Sequence, residues 1–236
     1  LAFRYSCGHG MCGSDAVAIN GTPTLLCTAK VKDWAIAQTS QNTTDAEGFR
    51  KTAGTDADPA DNAADVSGTS GVSGAYDGSP LVIELSALPG FPVQRDLIAD
   101  IDPMLEQIKR LKPYLQADGK LATTRDGKID VFEYLQRPEQ LAAYETLSNC
   151  IACGVCEGSC PVFAGGEAFI GPAALITASR FINDSRDTAA DARMDAIDTA
   201  DGIAACQSVR ACSRHCPRGI DVGEEIWQLI AKVKER

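Results

Sequence analysis

Ten cysteines dominate the chemistry open to this chain, and they fall into three groups. One group is Cys150, Cys153, Cys156 and Cys160, followed by Pro161. Its frame, C-x2-C-x2-C-x3-C-P, is the ligand ladder of a bacterial-type iron–sulfur cluster. A second run holds Cys206, Cys212 and Cys216, followed by Pro217, and keeps the frame with one change. Val209 stands where the middle thiolate of the first three would be. In two-cluster ferredoxins the fourth cysteine of each run ligates the other cluster. Cys150, Cys153, Cys156 and Cys216 then make four ligands, which fits 4Fe–4S. Cys160, Cys206 and Cys212 make three, which predicts 3Fe–4S, because Val209 has no donor atom and its branched side chain would fill the fourth corner.

The third group is Cys7, Cys12, Asp15 and Cys27. It reads C-x4-C-x2-D with a distant cysteine, against the plant-type 2Fe–2S pattern C-x4-C-x2-C…C. Asp15 takes the third ligand position. Every cysteine is then an iron ligand, and none is left over. Soft thiolates also suit zinc. The evenly spaced ladder and the proline after each run argue against it, since zinc sites are usually built from two C-x2-C pairs. Clustered C-x2-C spacing argues equally against a disulfide framework. Three clusters imply electron transfer along a line of close centres. No G-x-G-x-x-G follows a strand, so organic two-electron chemistry is expected on a partner. His9 and His215 read as ordinary loop residues, and Trp227 as a core anchor of the last helix.

The elements must bring these residues together. Ala16 to Ile19 alternates as a strand, Asn20-Gly21 reads as a turn, and Thr24 to Val31 as a return strand carrying Cys27. Pro80 to Leu85 reads as a buried strand. A hairpin alone is not stable, so further strands and a helix are expected upstream of Leu1, and the chain is read as N-terminally incomplete. Residues 93–120 give a helix, with Ile98, Ile101, Met104, Leu105, Ile108 and Leu111 at helical spacing and Pro113 near the stop. Further helices are expected over 130–147, from Gly171-Pro172 to Ile182, over 188–205, and after a capping box at Asp221 to Glu224. The polar, acidic segment 40–79 reads as a disordered insertion.

The net charge of −10 makes nucleic acid an unsuitable partner. No apolar stretch approaches the roughly 20 residues of a membrane helix, so any membrane contact is expected to be peripheral.

The motif set resembles the iron–sulfur subunit of succinate dehydrogenase and fumarate reductase. The matching residues are Cys7 to Asp15, Ile19-Asn20-Gly21 before Cys27, Asp102-Pro103 and Lys112-Pro113-Tyr114-Leu115. They continue with the ladder at 150–161, Phe169-Ile170-Gly171-Pro172, Asp184-Ser185-Arg186-Asp187 and the run at 206–217. The resemblance implies an α+β chain. A partial plant-type ferredoxin (β-grasp) domain, residues 1–95 with the insertion at 40–79, precedes an all-α two-cluster ferredoxin-like domain, residues 96–236. It implies a flavoprotein subunit with FAD, one or more membrane-anchor subunits, and a quinone beside Pro161 and Gln207. Electrons would run between FAD and quinone through the 2Fe–2S, 4Fe–4S and 3Fe–4S clusters, on the cytoplasmic side of a bacterial inner membrane. Many quinone-reducing members carry a tryptophan after the Cys-Pro and a histidine after the cysteine equivalent to Cys206. This chain has Val162-Phe163 and Gln207. A stand-alone multi-cluster ferredoxin-like carrier is the alternative reading.

Overall fold

The computed structural model describes residues 1–37, 81–117, 123–128 and 136–236. The segment read as a disordered insertion, and the start of the helix expected over 130–147, lie outside these residues. The architecture is mixed, with small antiparallel sheets in the first half and helices in the second.

One compact unit comprises Leu1–Lys30 and Glu84–Arg236. Its first sheet has the order β2-β1-β5, from β1 (Ala16–Ile19), β2 (Thr22–Leu25) and β5 (Leu85–Ala87). Ile19 faces Thr22, so Asn20 and Gly21 form a two-residue turn. Both have positive φ, at 49° and 79°, which is what the favoured hairpin turn requires. The central strand β1 is the buried one, with Val17, Ala18 and Ile19 all inaccessible. The return strand is shorter than expected. It stops at Leu25, and Cys27 lies in a single turn of 3₁₀ helix, Leu26–Thr28. Asp15 ends the ladder by taking the N–H groups of Leu26 and Cys27.

The helix expected over 93–120 is also shorter. Residues 93–99 form a hairpin, β6 (Val93–Arg95) and β7 (Ile98–Ala99), which turns at Asp96 with φ 49°. The N-terminal segment pairs with it, since Leu97 N donates to Ala2 O. Helix α2 occupies Asp102–Arg110 with proline in its first turn, and chain reversal at Lys112, φ 53°, ends it before Pro113. Ile98 and Ile101 thus share the helical spacing without belonging to the helix.

The second half is built around α6 (Pro172–Ile182), whose residues are buried on nearly every side. It packs on α2, on α4 (Val155–Ser159), on α7 (Ala190–Ile197) and on α9 (Val222–Lys234). A helix apolar all round must be interior. Short helices α3 (Pro138–Ala142), α5 (Pro161–Ala164) and α8 (Ala211–Arg214) complete the described set. Helix α9 buries Val222, Ile226, Leu229 and Val233 on one face, and Asp221 caps it by accepting from Glu224 N. The second unit, Val31–Ile83, holds a one-turn helix α1 (Val31–Trp34) and the strand pair β3 (Ile36–Ala37) and β4 (Leu81–Val82). No helix among the described residues is long and apolar enough to cross a membrane.

Candidate iron–sulfur sites

The loop from Cys7 to Asp15 wraps around one site. Gly10 N donates to Cys27 Sγ and Met11 N to Cys7 Sγ, both at 3.3 Å. Amide N–H groups aimed at sulfur are the usual setting of cluster ligands. Gly10 has φ 76°, which lets its N–H turn toward the sulfur at no steric cost. The Ser14 hydroxyl, 3.1 Å from Cys12 Sγ, and the nearby Cys7 pull the Cys12 thiol down to about 6. Burial pushes the Cys27 thiol up, helped by Asp15 and Cys7. Cys7, Cys12, Asp15 and Cys27 are thus brought together. Asp15 is only 4% exposed. Its Oδ2 accepts from Cys27 N at 2.5 Å, and its Oδ1 has no hydrogen-bond partner. A buried carboxylate oxygen without a donor fits an oxygen ligand to iron, because leaving it bare would be costly.

The two later runs meet crosswise. Cys150, Cys153, Cys156 and Cys216 line one largely apolar pocket, together with Ala173, Ile176, Ile220 and Val222. Cys160, Cys206 and Cys212 line another, with Pro161, Phe169, Gln207, Val209, Arg210 and Ile226. Burial pushes all four thiols of the ladder up, Cys153 to about 12. Cys212 is pushed up to about 11, by burial and then by Cys160 and Cys206. Bound metal ions would supply the positive charge that favours the thiolate forms of such buried groups. The donor chemistry therefore fits iron–sulfur clusters at both pockets. Among the described residues no three of His, Cys, Asp or Glu converge on a point that would hold a single ion. All ten cysteines are free of disulfides.

The two runs also share a backbone. Ala152 (φ 48°) and Gly154 (φ 78°) are left-handed, and so are their counterparts Ser208 (φ 58°) and Arg210 (φ 60°). Each second left-handed residue caps a short helix, α4 or α8. The second run thus retains the cluster-loop conformation although Val209 replaces a cysteine. Val209 lines the pocket but is 49% exposed, so its side chain is not packed into it as the sequence suggested. Pro161 and Gln207 are exposed where the same pocket opens.

One residue, Glu157, escaped sequence reasoning, and the structure sharpens the reading of one residue and overturns that of another. Glu157 is fully buried and accepts from Cys156 Sγ at 2.9 Å and from Ala173 N at 2.8 Å. Burial pushes its carboxyl up. A glutamate beside a cysteine carries no sequence mark of burial. Gly13, φ 68°, lies against the ladder: a Cβ there would stand 2.6 Å from Cys153 Cβ. The first loop thus rests on a lining residue of the second site. Trp227 is not a core anchor; it is partly exposed, with the Arg210 guanidinium 4.7 Å from its ring centroid. His9 is exposed and contacts Cys7 O, while burial and then Arg214 push the His215 ring down.

Residues 1–106 match the 2Fe–2S iron–sulfur cluster binding domain family, and residues 146–220 the 4Fe–4S dicluster domain family. The fumarate reductase iron–sulfur subunit of Mycobacterium tuberculosis is 32% identical over 221 residues, covering 94% of this chain and 69% of the relative. The succinate dehydrogenase iron–sulfur subunit of Coxiella burnetii is 30% identical, covering 97% of this chain and 75% of the relative. The chain belongs to the succinate dehydrogenase and fumarate reductase iron–sulfur subunit family. As such a subunit it transfers electrons within an oxidoreductase complex and does not stand alone as a carrier. A solved structure, the Mycobacterium smegmatis Sdh1 complex in the apo form, shares the fold with a TM-score of 0.70 at 22% identity, covering all of this chain and 78% of that one. The subunit's cysteine loops thus lie within the two matched family regions.

Proposed function

We propose that this iron–sulfur subunit carries electrons between the FAD of a flavoprotein subunit and a quinone at a membrane-anchor subunit. Cys7, Cys12, Asp15 and Cys27 hold a 2Fe–2S cluster. Cys150, Cys153, Cys156 and Cys216 hold a 4Fe–4S cluster. Cys160, Cys206 and Cys212 hold a 3Fe–4S cluster. When bound, such clusters supply one-electron chemistry at sites that carry no other redox group. The observation that carries this reading is the crosswise sorting of seven cysteines into a set of four and a set of three, around separate pockets.

The chain's own residues do the rest. Gly10 and Met11 aim N–H groups at sulfur in the first site. The linings of the other two are largely apolar around the ligands. Gly13 permits the first loop to lie directly on Cys153, and close approach is what fast transfer between centres requires. Pro161 and Gln207 flank the quinone at the three-cysteine pocket. The fold reading that goes with this function is a partial plant-type ferredoxin (β-grasp) domain over residues 1–95 and a helical two-cluster domain over 96–236. The subunit sits peripherally, on the cytoplasmic side of a bacterial inner membrane, through its partners.

Low-temperature EPR of the oxidised complex tests the assignment. A 3Fe signal is expected there, and Val209→Cys converts it toward 4Fe–4S. A complex with no 3Fe signal in the oxidised state, or a variant whose signal is unchanged, overturns the role given to Val209.

A further inference from the structure

The two cysteine loops have the same backbone but different means of holding it. In the first, Cys153 sits between the left-handed residues Ala152 and Gly154 and lines the pocket. A thiolate–iron bond at that position tethers the loop, and glycine bears one of the two unusual conformations. In the second, the residue between Ser208 and Arg210 is Val209, which has no donor and is half-exposed. Neither flanking residue is glycine. This loop therefore carries more backbone strain with one tether fewer.

The Arg210 side chain is held from several directions. Its Nη2 donates to Asp221 Oδ2 at 2.6 Å, and its Nη1 lies 3.6 Å from Glu224 Oε2. The guanidinium lies over the Trp227 ring. Gly223 leaves room for the stem, since a Cβ there would stand 2.8 Å from Arg210 Cγ. Asp221 in turn accepts from Ser213 Oγ at 2.7 Å and caps α9 through Glu224 N. Ser213 follows Cys212 and accepts from Gly223 N at 2.7 Å. Each contact involves partly exposed groups and is weak alone. Together they fix one guanidinium to the start of α9, which is buried along one face.

We propose that Arg210 is a positioning residue: its anchorage to Asp221, Glu224 and Trp227 holds the Cys206–Cys212 loop in the cluster-binding conformation, in place of a fourth thiolate. This rests on the three-thiolate reading of that site. Arg210 touches no iron; it acts through the backbone beside Val209 and through Cys212. Its removal therefore disturbs one centre without unfolding the subunit.

The test compares the intact complex carrying Arg210→Ala, Arg210→Gly or no substitution. The readouts are the line shape of the 3Fe EPR signal and the rate at which a chelator abolishes it. Arg210→Ala keeps the strained conformation and loses the anchor. Its 3Fe signal should broaden and be lost about tenfold faster, the factor that the strain of a left-handed non-glycine residue corresponds to. The 2Fe–2S and 4Fe–4S signals should be unchanged. Arg210→Gly also loses the anchor, but glycine adopts the conformation freely, as Gly154 does, so its signal should return toward that of the unsubstituted complex. An Arg210→Ala signal identical to the unsubstituted one overturns the proposal. So does an Arg210→Gly variant no better than Arg210→Ala, since the side chain would then act by its charge and not through the backbone. Equal disturbance of all three centres overturns it as well. Absence of a 3Fe signal from the unsubstituted complex refutes the three-thiolate reading itself, and the role of Arg210 with it.

Discussion

Asp15 concentrates the chemistry of the first site in two oxygens. One takes the Cys27 N–H and fixes the turn that carries Cys27; the other has no partner and is buried. Asp15→Ala removes both. It strips the part-buried Cys27 N–H of its acceptor and deletes the proposed oxygen ligand. The 2Fe–2S signal of the reduced complex should be lost, while the other two centres remain. Asp15→Cys should retain a 2Fe–2S cluster with a changed potential, read by EPR-monitored titration. Retention of the cluster in Asp15→Ala would remove Asp15 from the ligand set. That Asp15 shares a loop with Cys7 and Cys12 was legible in the sequence, because it stands at a fixed offset of the plant-type pattern. Glu157 was not legible, because burial of a carboxyl depends on what packs over it. Here the start of α6 supplies the amide of Ala173.

At the scale of elements, ion pairs of similar appearance differ in weight. Arg193 is 3% exposed and pairs with Asp187 at 2.8 Å. It also donates to the carbonyls of Leu111, Lys112 and Tyr114, so helix α7 holds the reversal that follows α2. Arg193→Met removes the charge partner of Asp187 and the donor to those carbonyls, and should cost about 3–5 kcal/mol, measured by denaturant unfolding. The half-exposed pair of Arg210 and Asp221 should contribute about 0–1 kcal/mol by the same measure. Burial pushes the Asp187 carboxyl up, but Arg193 and the amides of Gln116 and Ala189 outweigh it and hold it below the ordinary 3.8. A lowered folded value means stability that is present above 3.8 and lost as pH falls through that lowered value. Asp187→Asn should therefore flatten the acid limb of a stability–pH curve. Unchanged steepness would assign that limb to other carboxylates.

Helix α6 was legible from Gly171-Pro172, and α9 from the Asp221 cap, because local chemistry and apolar spacing agree there. The hairpin at 93–99 was not. Its apolar residues fall in phase with those of α2, and only the turn at Asp96 and the pairing with Ala2 break the pattern. Cys27 was placed on a strand for a similar reason, since the acceptor that ends that strand is a side chain from another part of the chain.

For the whole molecule, the cluster pockets belong to the core. Cys150, Cys156, Cys160, Cys206 and Cys216 pack against the large apolar cluster of α6 and α9, and Cys212 is part of it. Iron bound there would stabilise the fold by mass action. Chelation of iron should therefore lower both the thermal midpoint and the far-ultraviolet helical signal of the second half. Retention of both after complete iron removal would show that the helices pack without their clusters.

The crosswise lining has one more consequence. Cys216 closes onto the first run and Cys160 onto the second, so the segment between the runs, including α6 and α7, is sewn in by two crossing stitches. With iron in place, a single cut in that segment leaves two fragments still joined at both sites. On the ligand sets proposed above, neither fragment would keep a complete set if they were drawn apart, so the two sites would be assembled, and lost, as a pair.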